Sequence, residues 1–565
     1  MPNKYVIIGG VACGPKAAAR LRRLDLDAEI TIIEKGEILS YGGCGMPYYI
    51  SGEVHNLQEL WSTPVGVPRD AQFFKKVKNV EIMDRTLAQK INRAEKKVEV
   101  VRLETGEVRE IPYDKLILAV GGTPVDPPIP GKNLNNVYKL NHPYDAEGIK
   151  KAAGAGKIKN AVIVGGGLIG LEVAESLTKL GINVTIVEMM DRVLPKMLDM
   201  EMASLLMRDM RANGVKIMVN NKVLSFEGDD QGNLQAVVTE QGTIEAQLAL
   251  VSIGVRPNSK LAQEAGLEIT ENGAIKVNEY LQTSDPDIFA GGDCIDNYHL
   301  ILKRRVYAPL GDLANIHGRI IANNIAGSPE EFPGILGTTI CKVFDFNAGS
   351  IGLTEERARE LGCEVVSVLA PGSDKAHFYP TAKNIFIKLV GRKKDGKIIG
   401  AQIVGPGDAA KRLNMLSLGM YYGITAKEMA KMDLAYAPPF APAMDNLITA
   451  ANIMQNKMEG IAKSIPLQEV KEKLNKKEDF ILLDVRIPQE VEEISLPYEN
   501  VMYIPLGMLR QKTDLLPRDK EIIIFCKVSL RGYEAQRILE EKGFTNVKFM
   551  DGGIVSWPFE LKTKV

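Results

Sequence analysis

Residues Lys4–Lys35 read KYVIIGGVACGPKAAARLRRLDLDAEITIIEK. An apolar strand enters a tight turn, Gly9-x-Val11-x-x-Gly14; an alanine-rich helix follows, and a second strand ends at Glu34, with Lys35 next. In that order a helix N-terminus faces a pyrophosphate and an acidic side chain takes a ribose hydroxyl. The pattern returns in NAVIVGGGLIGLEVAESLTKLGINVTIVEMM, residues 160–190, with Gly165-x-Gly167-x-x-Gly170 in the turn and Glu188 at the second strand end. One glycine fingerprint is weak evidence, because a glycine turn also serves merely to close a helix against a sheet. Two complete units, each ending in Glu, predict two nucleotide sites. The first fingerprint is irregular, with Val11 where a glycine would let backbone approach phosphate. The second is regular, and Met189 and Met190 follow Glu188 where a basic residue would receive a 2′-phosphate, so NADH is expected over NADPH.

The 565 residues exceed a single core, so several domains are expected. With 45% hydrophobic and 25% charged residues and a formal net charge of −1, the chain offers no field for nucleic acid or an anionic membrane. The longest apolar runs are too short to span a bilayer and the first strand starts without a signal peptide before it, so a cytoplasmic location is expected. Six cysteines, 13, 44, 294, 341, 363 and 526, contain no CxxC pair, which argues against a disulfide framework and against a metal site.

Two stretches, YDKLILAVGGTPVDPPIPG (113–131, with Gly121) and LALVSIGVRPNSKLA (248–262, with Gly254), each join a buried strand to a Gly/Pro turn. A third, TSDPDIFAGGDC (283–294), sets Gly292 and Asp293 after a strand. These resemble the crossover and flavin-ribityl motifs of the flavoprotein disulfide reductases with two dinucleotide-binding domains, over about residues 1 to 450. The resemblance implies FAD in the first fold, NADH in the second, and Asp293 on the ribityl chain. It implies an α/β chain with two Rossmann-like domains and an α+β dimerisation domain. The expected boundaries are 1–145 and 266–330 for the FAD-binding domain, 146–265 for the NADH-binding domain and 331–452 for dimerisation.

Cys44 lies in SYGGCGMPYY, residues 40–49. Relatives of the glutathione type carry a second cysteine five positions on, where this chain has Tyr49. Cys44 must then cycle alone, as a mixed disulfide with a small thiol or as a sulfenic acid. It precedes a helical stretch containing Pro47, and a helix N-terminus would lower its thiol pKa. Ala12 stands where the sulfenic-acid branch has histidine. The string GGVAxG…RLRRLD…SYGxCGxPYY, with HFYPTA (377–382) and AYAPPF (435–440), resembles coenzyme A disulfide reductase. That resemblance implies a homodimer with the active site shared between subunits, Tyr379 and Tyr436 reaching the sulfur from the neighbouring subunit as general acids. Lys16, Arg20 and Arg23 share one helix face. By the resemblance they line a coenzyme A channel, with Ser40, Gly43 and Asn315 nearer the thiol and a lysine from FFKKVK, Lys76 or Lys78. Gly43 and Met444 depart from the asparagine and lysine of relatives, which weakens the expected grip on coenzyme A.

The stretch MQNKMEGIAKS suggests a linker, 453–464, and 465–565 resembles an α/β rhodanese domain. Cys526 follows the strand EIIIF and opens the loop CKVSLR, closed by Arg531 ahead of a helix, a shape that stabilises a thiolate or persulfide. Ser529 replaces a frequent glycine and the usual GHIPGA is missing; Asp484, Arg486 and Trp557 fit. Cys13, Cys294, Cys341 and Cys363 are expected to pack. The expected activity is NADH-dependent reduction of coenzyme A persulfide, polysulfide or disulfide through Cys44, with Cys526 delivering sulfane sulfur. The alternatives are an NADH oxidase or peroxidase with a Cys44 sulfenic acid, and a sulfur carrier or redox sensor.

Overall fold

Both fingerprints fold as strand, glycine turn and helix in a computed structural model that describes residues 1–563. The chain divides into two units, Met1–Met189 with Val215–Ile335 and Met190–Gly214 with Leu336–Val565. The α/β class expected from the sequence is found in each.

In the first unit, Lys4–Ile8 is the middle strand of a parallel sheet ordered Ile288–Ala290, Lys115–Leu118, Lys4–Ile8, Glu29–Ile33, Glu81–Met83. Ile7, Ile32, Leu116 and Ile117 are wholly buried there, the continuous apolar pattern of strands covered on both faces. The second sheet is also parallel: Lys216–Met218, Asn183–Val187, Asn160–Val164, Leu248–Val251, Val137–Tyr138. The two glycine/proline stretches meet as an antiparallel pair, Gly122–Pro124 with Val255–Pro257.

The second unit holds an antiparallel sheet ordered Thr339–Val343, Phe346–Gly352, Ile398–Gly405, Asn384–Arg392, Val365–Ser373. It also holds a parallel sheet ordered Ser464–Ile465, Val547–Met550, Glu521–Phe525, Phe480–Asp484, Val501–Tyr503. Residues 190–214, read from sequence with the second nucleotide fold, group with this unit, and an ion-pair centre is one of their ties to it. Lys388, with 4% of its side chain exposed, lies 2.8 Å from both Asp199 and Glu355 and also pairs with Glu201. The ammonium occupies the centre of these three carboxylates. Burial by itself would raise Glu355, but Lys388, Ser367 and Arg359 outweigh it and bring the carboxyl down to about 2.

The stretch read as a linker, 453–464, is in its first half the end of a helix, Asn446–Met458. Leu447, Ala450, Ala451 and Met454 recur at helical spacing and are buried, so apolar packing decides against a free linker. Among the described residues no helix is long and apolar enough to cross a membrane.

Candidate active site

Close backbone approach shapes both nucleotide turns. A Cβ at Gly14 would lie 2.0 Å from the Gly9 carbonyl oxygen, and one at Gly170 2.3 Å from that of Gly165, so only glycine lets each helix start against its strand. Glu34 accepts from the Gly10 amide at 2.7 Å, and Glu188 from the Gly166 amide at 2.6 Å. Each acid is thereby fixed at its strand end beside the turn. A side chain at Gly167 would meet nothing within 4 Å, leaving open space for a pyrophosphate to approach, whereas the half-buried Val11 stands at the corresponding position in the first turn. Lys35 is exposed beside Glu34, and Met189 and Met190 are exposed after Glu188.

The crossover glycines are tied to the opposite strand: the Val125 amide donates to Gly254 O at 2.9 Å, and the Asn258 amide to Gly121 O at 3.0 Å. Asp293 is held by its backbone, its carbonyl accepting from the Tyr307 hydroxyl at 2.9 Å, while the Gly292 amide donates to His317 Nδ1 at 3.1 Å. Burial pushes the Asp293 carboxyl up, and among the described residues it has no hydrogen bond or ion pair. Such a half-buried acceptor without a partner fits a polyol chain that brings its own hydroxyls, as the ribityl chain of FAD does.

Cys44 sits in a single turn, Gly43–Gly45, ahead of the helix Met46–Ser51. Its side chain is exposed, although the sulfur is partly enclosed by its surroundings. The expectation of a lowered thiol pKa fails. Partial burial of the sulfur raises it, and Glu172, Asp293 and Asp312 raise it further; one backbone hydrogen bond opposes them. A helix of six residues carries too small a dipole to outweigh burial and three carboxyls. Glu172 was not singled out from the sequence. It lies on the helix Leu168–Lys179, whose Ser176 hydroxyl donates to Pro47 O at 2.8 Å, so the second fingerprint's helix is pinned to the one behind Cys44. Burial, then Glu175, raises the Glu172 carboxyl to about 7. Its signal was an acid inside a GLEVAE helix, indistinguishable in sequence from a solvated position. Tyr49 stacks under Lys150, whose Nζ is 3.9 Å from the ring centre.

The helices Cys13–Leu24 and Gly311–Ile325 are in close contact, because a Cβ at Gly318 would lie 2.4 Å from Cys13 O and 3.0 Å from Lys16 Cβ. This brings Lys16 and Asn315 onto neighbouring helices. Lys16 and Arg23 are exposed, with no hydrogen bond or ion pair among the described residues, and Arg20 donates to Asn323 Oδ1 at 2.7 Å. The Ser40 amide donates to Gly10 O at 2.8 Å, joining the cysteine turn to the first fingerprint. Gly43 has room, its nearest neighbour being Met46 Cε at 3.8 Å. Lys76 is exposed on the turn Phe74–Lys78, and Lys78 lies 5.9 Å from the Phe73 ring centre.

In the second unit the two tyrosine loops are neighbours, the Ala376 amide donating to Pro438 O at 3.3 Å. Tyr436 is 52% exposed and Tyr379 half-buried, with Met444 exposed further along.

The Cys526 centre in the same unit is built otherwise. Cys526 is wholly buried between the strand Glu521–Phe525 and the helix Leu530–Glu541. Arg531 makes a two-pronged pair with Glu490 at 2.7 and 2.8 Å; that carboxylate first, and Cys526 after it, raise the guanidinium's pKa. Asp484 grips Arg486 at 2.7 to 3.1 Å, and Arg486 donates to Glu490 O and Ile494 O. Ser529 takes φ 87°, where glycine is favoured, and its hydroxyl donates to Met550 O at 3.2 Å. Trp557 is fully buried. Of the other cysteines, Cys13, Cys294 and Cys341 are buried and Cys363 half-buried.

Comparison with known proteins fits this double construction. Residues 3–308 match the pyridine nucleotide-disulphide oxidoreductase model, 338–448 that family's dimerisation domain, and 466–559 the rhodanese-like domain. The NAD(P)H coenzyme A polysulfide/persulfide reductase of Pyrococcus horikoshii is 34% identical over 463 residues, covering 80% of this chain and 99% of that one. The solved structure of a NAD-dependent persulfide reductase from A. fulgidus is 43% identical, with a TM-score of 0.94, covering 98% and 100% of the two chains. That of reduced Bacillus anthracis CoADR-RHD is 34% identical with a TM-score of 0.91, covering 99% and 98%. The chain is therefore a member of the pyridine nucleotide-disulphide oxidoreductase family, the FAD- and NAD(P)H-dependent flavoenzymes, extended by a rhodanese-like domain.

Proposed function

We propose that this oxidoreductase uses NADH to reduce coenzyme A persulfide or polysulfide, and coenzyme A disulfide, through Cys44, and that Cys526 delivers the sulfane sulfur. One observation carries the reading: a solvent-reached cysteine with Tyr49 in place of a second thiol occurs on the same chain as a rhodanese-like loop around a buried cysteine. The relatives named as persulfide and polysulfide reductases support the substrate class. Met189 and Met190 after Glu188 support NADH.

The Cys44 thiolate attacks the coenzyme A sulfur of the persulfide. The bond between that sulfur and the sulfane sulfur breaks, hydrosulfide leaves, and a Cys44–coenzyme A disulfide forms. FAD, which the first glycine turn with Glu34 and Asp293 would hold, would supply the two-electron relay from NADH to this disulfide. The disulfide parts into the Cys44 thiolate and a coenzyme A thiolate, which takes a proton. In the proposed homodimer that proton comes from the partner subunit's Tyr379 or the partner subunit's Tyr436. Lys16, Arg20 and Arg23, with Lys76 or Lys78, hold the coenzyme A phosphates, and Ser40, Gly43 and Asn315 border its thiol end. The proposed setting is the cytoplasm.

The test is steady-state NADH oxidation by the FAD-loaded protein with coenzyme A persulfide, sulfide being assayed in parallel. Sulfide release that stops in Cys44→Ser supports the reading. NADH oxidation driven by oxygen or peroxide alone points to the oxidase, and no turnover with any oxidant points to a carrier or sensor; either overturns it.

A further inference from the structure

The segment Asp551–Trp557, DGGIVSW, has two sides. On one it holds the Cys526 loop: the Ile554 amide donates to Cys526 O at 2.8 Å and the Val555 amide to Lys527 O at 3.2 Å. A Cβ at Gly553 would lie 2.5 Å from Lys527 O and 2.7 Å from Cys526 O, so the two backbones are as close as glycine permits. On the other side the segment is gripped from outside the rhodanese-like domain. Lys457 Nζ lies 3.1 Å from Asp551 and also donates to Ser367 O; both its side chain and that of Asp551 are largely buried. Arg208 donates to Trp557 O at 3.0 Å and to Val555 O at 3.5 Å. A Cβ at Gly552 would lie 2.8 Å from Leu369 Cδ2. Gln536, wholly buried in the rhodanese-like helix, accepts from the Lys463 amide and donates to Ile461 O, closing the connection below.

We propose that Lys457 and Arg208 are positioning residues for sulfur transfer: by clamping Asp551–Trp557 they hold the segment whose amides fix the Cys526 loop, so Cys526 works fully only while the rhodanese-like domain is docked on the dimerisation domain. The physical reason is that an ion pair and carbonyl bonds removed from water are costly to open, and the segment they fix is too short to let the loop's carbonyls shift independently. The domain is a docked module and not a tethered carrier. This inference rests on the reading of Cys526 as a sulfur-transfer residue.

The test uses the full-length, FAD-loaded protein with thiosulfate as donor and cyanide as acceptor. Sulfane sulfur moves from thiosulfate to the Cys526 thiolate, leaving sulfite, and then to cyanide, leaving thiocyanate. In Lys457→Met, kcat for thiocyanate formation should fall about tenfold at unchanged thiosulfate KM, as expected of a misplaced reacting group. Alkylation of Cys526 should quicken as its loop opens, NADH-driven disulfide reduction should stay at the wild-type rate, and Lys457→Arg should restore kcat. Arg208→Gln should act in the same direction, and carries the test if Lys457→Met does not fold. Wild-type kcat together with wild-type alkylation in both variants overturns the proposal. If the unaltered protein forms no thiocyanate, the role of Cys526 falls, while the alkylation rates still decide whether the clamp fixes its loop.

Discussion

The two candidate cysteines are housed in opposite ways. Cys44 is exposed and stands in one turn of chain; partial burial first, then Glu172, Asp293 and Asp312 from three other segments, hold its proton on. Cys526 is wholly buried in a loop whose own closing residue, Arg531, lies beside it, itself braced by Glu490. A thiol that must accept a large external disulfide needs access, and its charge is then governed by distant neighbours. A thiol that carries a single sulfur atom can be enclosed within its own loop.

If this division holds, single substitutions should separate the two chemistries completely. Cys44→Ser should abolish NADH-driven sulfide release and leave thiosulfate-to-cyanide transfer intact, and Cys526→Ser should do the reverse; both activities failing together in either variant would erase the contrast. Next in size, Glu490→Gln removes the carboxylate that fixes Arg531 and should lower sulfur transfer about tenfold without touching NADH oxidation, since a two-pronged pair is replaced by one weak bond. Lys at 531 would not repair it, because an ammonium cannot reproduce the planar fork.

At the exposed thiol the expected effect is a shift of a pH profile. The Cys44 pKa is raised in part by the Glu172 carboxylate, which titrates at about 7. Below that pH Glu172 is neutral and does not oppose the thiolate; above it the charge holds the proton on the sulfur. Glu172→Gln should therefore move the alkylation profile of Cys44 to lower pH and remove an inflection near pH 7, measured by iodoacetamide labelling and mass spectrometry. The smallest effect belongs to the enclosed site's backbone. Ser529 holds φ 87°, so Ser529→Gly should raise the thermal stability of the rhodanese-like domain by about 1 kcal/mol, seen in calorimetry, by relieving that strain.

Local patterns were easy to read. The fingerprints at Gly9 and Gly165 and the CKVSLR loop each complete their structure within a few tens of residues, the crossover glycines are marked by their own Gly/Pro turns although they pair across the chain, and the α/β class follows from them. Three things were not. Glu172 looks like any acid on a helix until Ser176 bonds to Pro47 and turns that helix toward the cysteine turn. The polar residues of MQNKMEGIAKS suggested a linker, although Met454 completes a buried helical stripe begun at Leu447. The grouping of residues 190–214 includes Asp199 and Glu201 meeting Lys388 far along the chain.

Residue order was enough to give the strand–glycine–helix units and the rhodanese-like tail, and to single out Cys44 and Cys526 as candidates, because hydrophobic period, turn geometry and loop closure act between near neighbours. The proton affinity of Cys44, the partners of Lys388 and the clamp on Asp551–Trp557 arose only on folding. Coulombic fields and buried ion pairs depend on distance through space and on exclusion of water, and neither is written in the order of residues.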